Sequence, residues 1–263
     1  MVKRHTLTTR AFGAEPGKPD IARLSAWIAE HRGTTADLTT FQLSRSFAPQ
    51  LAAGIGHPCA GGKFCADRIR SSLYGLAGRR VAEDITVHTE ALIEDAAGIV
   101  VQKRNSWCAL PAPHALGLTD GYYCDDEEWS DALTDAYCTI MRAMRDIGIA
   151  GHVIISDSGH EMEINALAGQ KVFFFQPDAD RTSLEYLMER QRQIAVHPKQ
   201  LETVFALTEE YDLRKIIIVD ADEEAITLAL SHLDPDQVSV GGYCLDENGD
   251  YWKNLVDTAV YTR

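Results

Sequence analysis

From Gly151 onward the chain alternates short, fully apolar runs with amphipathic stretches, and this alternation narrows the available folds more than any other feature. Val153–Ser156, Lys171–Phe175, Ile216–Val219 and Val238–Tyr243 read as strands. Between them, 161–167, 183–212 (broken at Pro198) and 223–233 carry helical spacing. Strands that are apolar at every position are buried on both faces, which is the pattern of a parallel sheet covered by helices. The helix before them, 125–148, keeps Trp129, Leu133, Ala136, Tyr137, Ile140, Met141, Met144 and Ile147 on one stripe, with Cys138 assigned to the same core, and ends at Gly148. An antiparallel pairing across a tight turn at Asp157-Ser158-Gly159 is the alternative for 152–175; the parallel reading is preferred.

The first 120 residues are less regular. An edge strand is expected over 2–12, a helix over 19–32 closed by Gly33, a second helix over 38–53 interrupted near Pro49, and over 54–80 a glycine-rich loop that feeds a helix with Ile69, Leu73 and Leu76 facing inward. The run 84–111 reads as a β-hairpin turned at Asp95-Ala96-Ala97-Gly98, and 243–263 as another turned at Glu247-Asn248-Gly249-Asp250. The fold class expected is therefore α/β with a mixed sheet. An N-terminal α+β portion (1–120) precedes a parallel β/α portion (121–263), and the two are able to form one compact domain. At 263 residues with 45% hydrophobic content the core is ample. No apolar run is long enough to cross a membrane, and no hydrophobic segment follows Met1–Thr9, so a cytoplasmic protein with six reduced cysteines is expected.

Charge is unevenly spread. Residues 1–120 hold 14 Lys+Arg against 11 Asp+Glu, whereas 121–263 hold 11 against 28. So acidic a second half repels a nucleic-acid backbone, which favours a small phosphorylated molecule as partner instead.

Asp157, Asp220 and Asp222 follow strands, where ligands of parallel α/β sheets bind. Acids two residues apart can share Mg²⁺ or Mn²⁺. The bland alternative is that they cap the next helix. The order VIISDSGHEMEINALAG, KVFFF, KIIIVDADEEAITLAL is also similar to the Toprim domain of primases, topoisomerases and some nucleases, over 152–233. The resemblance implies Mg²⁺-dependent phosphoryl or phosphodiester chemistry. Asp157 would stand at the family's catalytic glutamate, Glu161 at its later acid, and Asp220 and Asp222 at its metal pair. Asp157 is shorter than that glutamate, and Ser158 replaces the glycine after it.

A metal-dependent enzyme acting on a phosphorylated substrate is the function expected. Asp157, Glu161 and His160 would be its catalytic groups, and Lys63, Arg68 and Arg70 would face the anion. A non-catalytic ligand-binding or regulatory protein using the same crevice is one alternative. The other is a thiolate metal or redox site, with Zn²⁺ or an iron–sulfur cluster on His57, Cys59, Cys65, Cys108 and His114.

Overall fold

The computed structural model describes residues 4–32, 35–246 and 249–262. Eight parallel strands in chain order form its centre: β1 (Thr8–Ala14), β2 (Cys59–Gly61), β3 (Trp107–Pro111), β4 (Gly151–Ile155), β5 (Val172–Phe175), β6 (Gln193–Val196), β7 (Lys215–Val219) and β8 (Val238–Cys244). Main-chain ladders join them into two four-stranded sheets, β2-β3-β4-β5 and β6-β7-β8-β1. The sheets close on each other. Phe12 of β1 packs its ring 5.5 Å from Phe173 and 4.7 Å from Phe175 of β5, across the interior. This is a (β/α)8 barrel, whose centre is filled by side chains.

Neither seam between the sheets is an ordinary ladder. At the β1–β2 seam, pairing is confined to its start, where the Ala11 N–H donates to His57 O at 3.0 Å and the His57 N–H to Thr9 O at 2.9 Å. Beyond that the Gln50 amide takes over from the outside: it accepts from the Cys59 N–H and donates to the Cys59 carbonyl, both at 2.7 Å. At the β5–β6 seam the Gln191 amide does the same for Phe174, accepting from its N–H at 3.0 Å and donating to its carbonyl at 2.9 Å. A primary amide carries the donor and acceptor of a peptide group, so it can stand in for the missing strand neighbour.

Ten helices are described: α1 (Ile21–Glu30), α2 (Leu38–Ala53), α3 (Ala66–Ser72), α4 (Glu90–Gln102), α5 (Asp126–Ile147), α6 (Glu161–Leu167), α7 (Arg181–Arg190), α8 (Leu201–Leu207), α9 (Glu223–His232) and α10 (Tyr251–Thr258). Arg4–Thr6 pairs antiparallel with Val260–Thr262, and Leu73–Ala77 with Arg80–Val87. No helix among the described residues is long and apolar enough to cross a membrane.

The expected α/β class holds, with corrections. The run 84–111 is not a hairpin: it is a strand end, then α4, then β3. Its β-branched residues suggest strand, but Leu92, Ala96 and Ile99 fall on one helical face and are buried there. The stretch 183–212 contains β6, and the C-terminal segment forms α10 where a hairpin was expected. Glu247 and Asn248 of that expected turn, and Gly33 at the end of the first helix, lie outside the described residues. Cys138 is exposed, because the buried stripe of α5 runs through Ala136, Tyr137, Ile140 and Met141 and leaves it on the outer face.

The Gln191 seam is directly testable. Replacing Gln191 by Leu keeps the bulk and strands the buried N–H and C=O of Phe174. We expect a loss of about 2–4 kcal/mol from two unsatisfied groups, read by urea unfolding. Gln102→Leu, on the exposed end of α4, should stay within about 0.5 kcal/mol.

Candidate functional site: the C-terminal mouth of the barrel

In this architecture chemistry belongs at the carboxyl ends of the strands. Two glycines bring the first of those ends together. Gly13 has φ +97°, and a Cβ on it would lie 2.6 Å from Gly61 O and 2.7 Å from Ala109 Cβ; Gly61 itself has φ +95°. This close approach carries Glu15, just past β1, to Lys63, just past β2. The Lys63 N–H donates to Glu15 Oε1 at 2.6 Å, and the Tyr243 hydroxyl of β8 donates to the same oxygen at 2.6 Å. Burial raises the Glu15 carboxyl above its ordinary range, against the lowering effect of these bonds. Burial, then the Glu15 charge, pushes the Tyr243 phenol well above its own. The Lys63 amine in turn pairs with Asp157 beyond β4.

A second group of contacts adjoins the first, since the Tyr251 side chain also bonds the Tyr243 backbone. Asp220, beyond β7, accepts from the Tyr251 hydroxyl and lies 3.8 Å from His197 Nδ1, beyond β6. Its backbone is left-handed, with φ 55°. Lys199 Nζ lies 3.0 Å from Asp178, beyond β5.

At the edge of the same face, Glu163 of α6 is buried and holds His114, which follows β3. It accepts from the His114 backbone N–H and faces His114 Nδ1, each at 2.8 Å. His160 stacks on His114 with centroids 3.8 Å apart and planes 14° apart, and Ser158 Oγ lies 3.5 Å from His114 Nε2. His114, His160 and Glu163 are the one group of three potential metal-ligating side chains within mutual reach among the described residues.

The expected site residues are distributed as follows. Asp157 pairs with Lys63, Asp220 with Tyr251 and His197, and Asp222 caps α9 by accepting from the Ala225 N–H at 2.7 Å. The three therefore make no shared carboxylate cage among the described residues, and magnesium has no support. Glu161 is exposed on the first turn of α6. Arg68 is spent on Asp37 (2.7 Å) and Asp95 (2.8 Å), and Arg70 on Leu116 O (2.6 Å) and Asp67. Of the proposed anion-facing cations, Lys63 alone is at the mouth. His57 sits before β2, at the opposite end of the barrel. Cys59, Cys65 and Cys108 are buried, burial drives their thiols upward, that of Cys65 to about 12, and they are not among the potential metal-ligating side chains that lie within mutual reach in the described residues. Glu15, Tyr243, His197, Tyr251 and Glu163 escape sequence reasoning. The recoverable hint is position alone: Glu15, His197 and Tyr243 stand at or just past strand ends.

No protein-family model and no curated protein matches the chain. Solved structures do. The putative vitamin-B12 independent methionine synthase from Listeria monocytogenes superposes with a TM-score of 0.67 at 16% identity, covering 97% of this chain and 98% of that one. A B12-independent methionine synthase from Shewanella sp. W3-18-1, in complex with selenomethionine, superposes with a TM-score of 0.57 at 17% identity, covering 97% of each chain. At these identities the likeness establishes the fold. It also corrects the expectation of a magnesium enzyme acting on a phosphorylated molecule: these neighbours bear the name methionine synthase, and the ligand in the second is an amino acid.

Proposed function

We propose that this chain is a barrel enzyme that binds a small zwitterionic molecule of amino-acid type at its C-terminal mouth. The observation that carries the reading is the Glu15 carboxyl, raised by burial and shared between Tyr243 and Lys63, beside the Lys63–Asp157 pair. A perturbed acid among convergent polar groups at strand ends is the usual mark of an active site. The selenomethionine in the Shewanella neighbour supports the substrate class. So does the mixed sign of the mouth. Lys63 and Lys199 can meet a carboxylate, and Asp157, Asp178 and Asp220 an ammonium group. Glu15 is placed to hold or release a proton, with the Tyr243 hydroxyl stabilising its ionised form.

Zinc is the finer reading of the His114–His160–Glu163 group, since two imidazoles and one carboxylate are a known catalytic donor set for it. The donor types fit, but the geometry does not. An imidazole lone pair lies in its ring plane, and two rings stacked at 3.8 Å and 14° cannot both aim at one cation. His114 Nδ1 is moreover already held by Glu163.

Three outcomes follow. L-Methionine should raise the melting temperature saturably, equivalent to about 2.7 kcal/mol at a hundredfold excess over Kd, and Lys63→Met should abolish the shift; a wild type indifferent to amino acids would overturn the reading. Elemental analysis of dialysed protein should find zinc well below one per chain. Glu15 also ties stability to pH. Because its folded pKa is raised, the unfolded state releases the proton first, so stability falls as pH climbs past the ordinary value of 4.5. Glu15→Gln should flatten that decline in urea titrations run from about pH 4.5 to about pH 8.

A further inference from the structure

The edge of the mouth holds a relay that the amino-acid reading does not use. We propose that Ser158, His114 and Glu163 form a nucleophilic triad for acyl esters. Glu163 faces His114 Nδ1 at 2.8 Å, and the carboxylate can only accept there, so Nδ1 carries the proton and Nε2 presents its lone pair. That lone pair faces Ser158 Oγ at 3.5 Å. The order hydroxyl, imidazole, carboxylate, with the imidazole bonded through opposite nitrogens, is the arrangement by which a weak hydroxyl is made nucleophilic. The serine–histidine distance is long for a hydrogen bond, as such contacts often are before substrate binds.

Three further features fit this role. Glu163 is only 6% exposed and is fixed by a second bond, from the His114 backbone N–H, so its carboxylate cannot swing away. His160 stacks on the His114 ring and sets its plane; burial, then the His114 charge, lowers the His160 pKa, which favours a neutral neighbour for the imidazolium that forms on His114. Ser158 lies in a turn held by the Ser156 hydroxyl, which donates to the Ser158 carbonyl. Beside the triad is a cavity of about 460 Å³ lined by His114 and His160 together with Leu118, Trp129, Leu133 and Met162. Its wall is mixed, with Asp126, Ser130 and Glu161 beside those apolar side chains, and its size suits a short acyl or alcohol group.

The chemistry balances without a cofactor. Ser158 Oγ bonds to the ester carbonyl carbon as His114 Nε2 takes its proton. The bond from that carbon to the leaving oxygen breaks, and Nε2 returns the proton to the departing alcohol. Water then adds to the acyl carbon, losing a proton to Nε2. The acyl–Ser158 bond breaks with that proton going back to Oγ, which releases the acid. Ser158 and His114 are the catalytic residues; Glu163 and His160 are positioning residues.

The inference does not rest on the amino-acid reading and can fail separately from it. The full-length chain would be treated with a fluorophosphonate probe and, separately, with p-nitrophenyl acetate. The expected result is one adduct on the peptide containing Ser158, and esterase turnover that vanishes in Ser158→Ala with an unchanged melting temperature, since Ser158 is exposed. Glu163→Gln should slow turnover by about 10²-fold or more, and Glu163→Asp should recover part of it, which a purely structural loss would not allow. No adduct, labelling that persists in Ser158→Ala, or stoichiometric zinc removable only by disrupting His114 would each overturn the triad.

Discussion

The barrel depends on how its two seams are closed. Strands as short as three residues in β2 and four in β5 and β6 cannot hold a continuous ladder around the ring, yet each buried peptide group left without a partner would cost about 1–3 kcal/mol. Side chains fill the gaps. Gln50 and Ser46, both buried on α2, take the Cys59 N–H and carbonyl and the Gly61 N–H, and Gln191 takes Phe174. The consequence reaches the site, because fixing β2 against α2 holds Gly61 at the contact distance from Gly13 that sets Lys63 beside Glu15.

The second half of the chain was legible because its strands are apolar at every position and its helices keep a clear period. β2 and β6 were not. CAG and QIAV are too short, and too close to glycine or polar residues, to stand out from their surroundings. α4 misleads in the other direction, since composition favours strand while the three- and four-residue spacing of Leu92, Ala96 and Ile99 decides for helix. At the site, the sequence reveals which acids follow strands but not what they face. The Lys63–Asp157 and Glu15–Tyr243 contacts span 94 and 228 residues, and local pattern carries no information over such separations.

Strand-end acids divide by physical role. Asp180 and Asp222 accept from the Ser183 and Ala225 N–H groups at the starts of α7 and α9, satisfying helix donors that have no partner within the helix. Asp157, Asp178 and Asp220 are engaged by side chains from other elements instead. Capping residues are structural punctuation, so the second set alone bears on a ligand.

Asp220 separates further from the rest. A non-glycine residue at φ 55° costs about 1–3 kcal/mol and persists only where its surroundings over-determine it. Here the Tyr251 hydroxyl, His197 and a 2.9 Å bond from the Asp220 N–H to Gly241 O do so. The mouth thus holds two groups of contacts, Glu15–Tyr243–Lys63–Asp157 and Asp220–Tyr251–His197 with Lys199–Asp178, which meet where Tyr251 bonds the Tyr243 backbone and where Lys63 acts on Asp178. Lys63–Asp157 and Lys199–Asp178 are ion pairs, while Asp220 is held by a hydroxyl and a histidine. A bare anion arriving there would have to take a lysine from its aspartate and leave that aspartate uncompensated. A ligand carrying both charges can bring an ammonium group to the aspartate as its carboxylate takes the lysine, which is the electrostatic reason a zwitterion fits this mouth better than an anion alone.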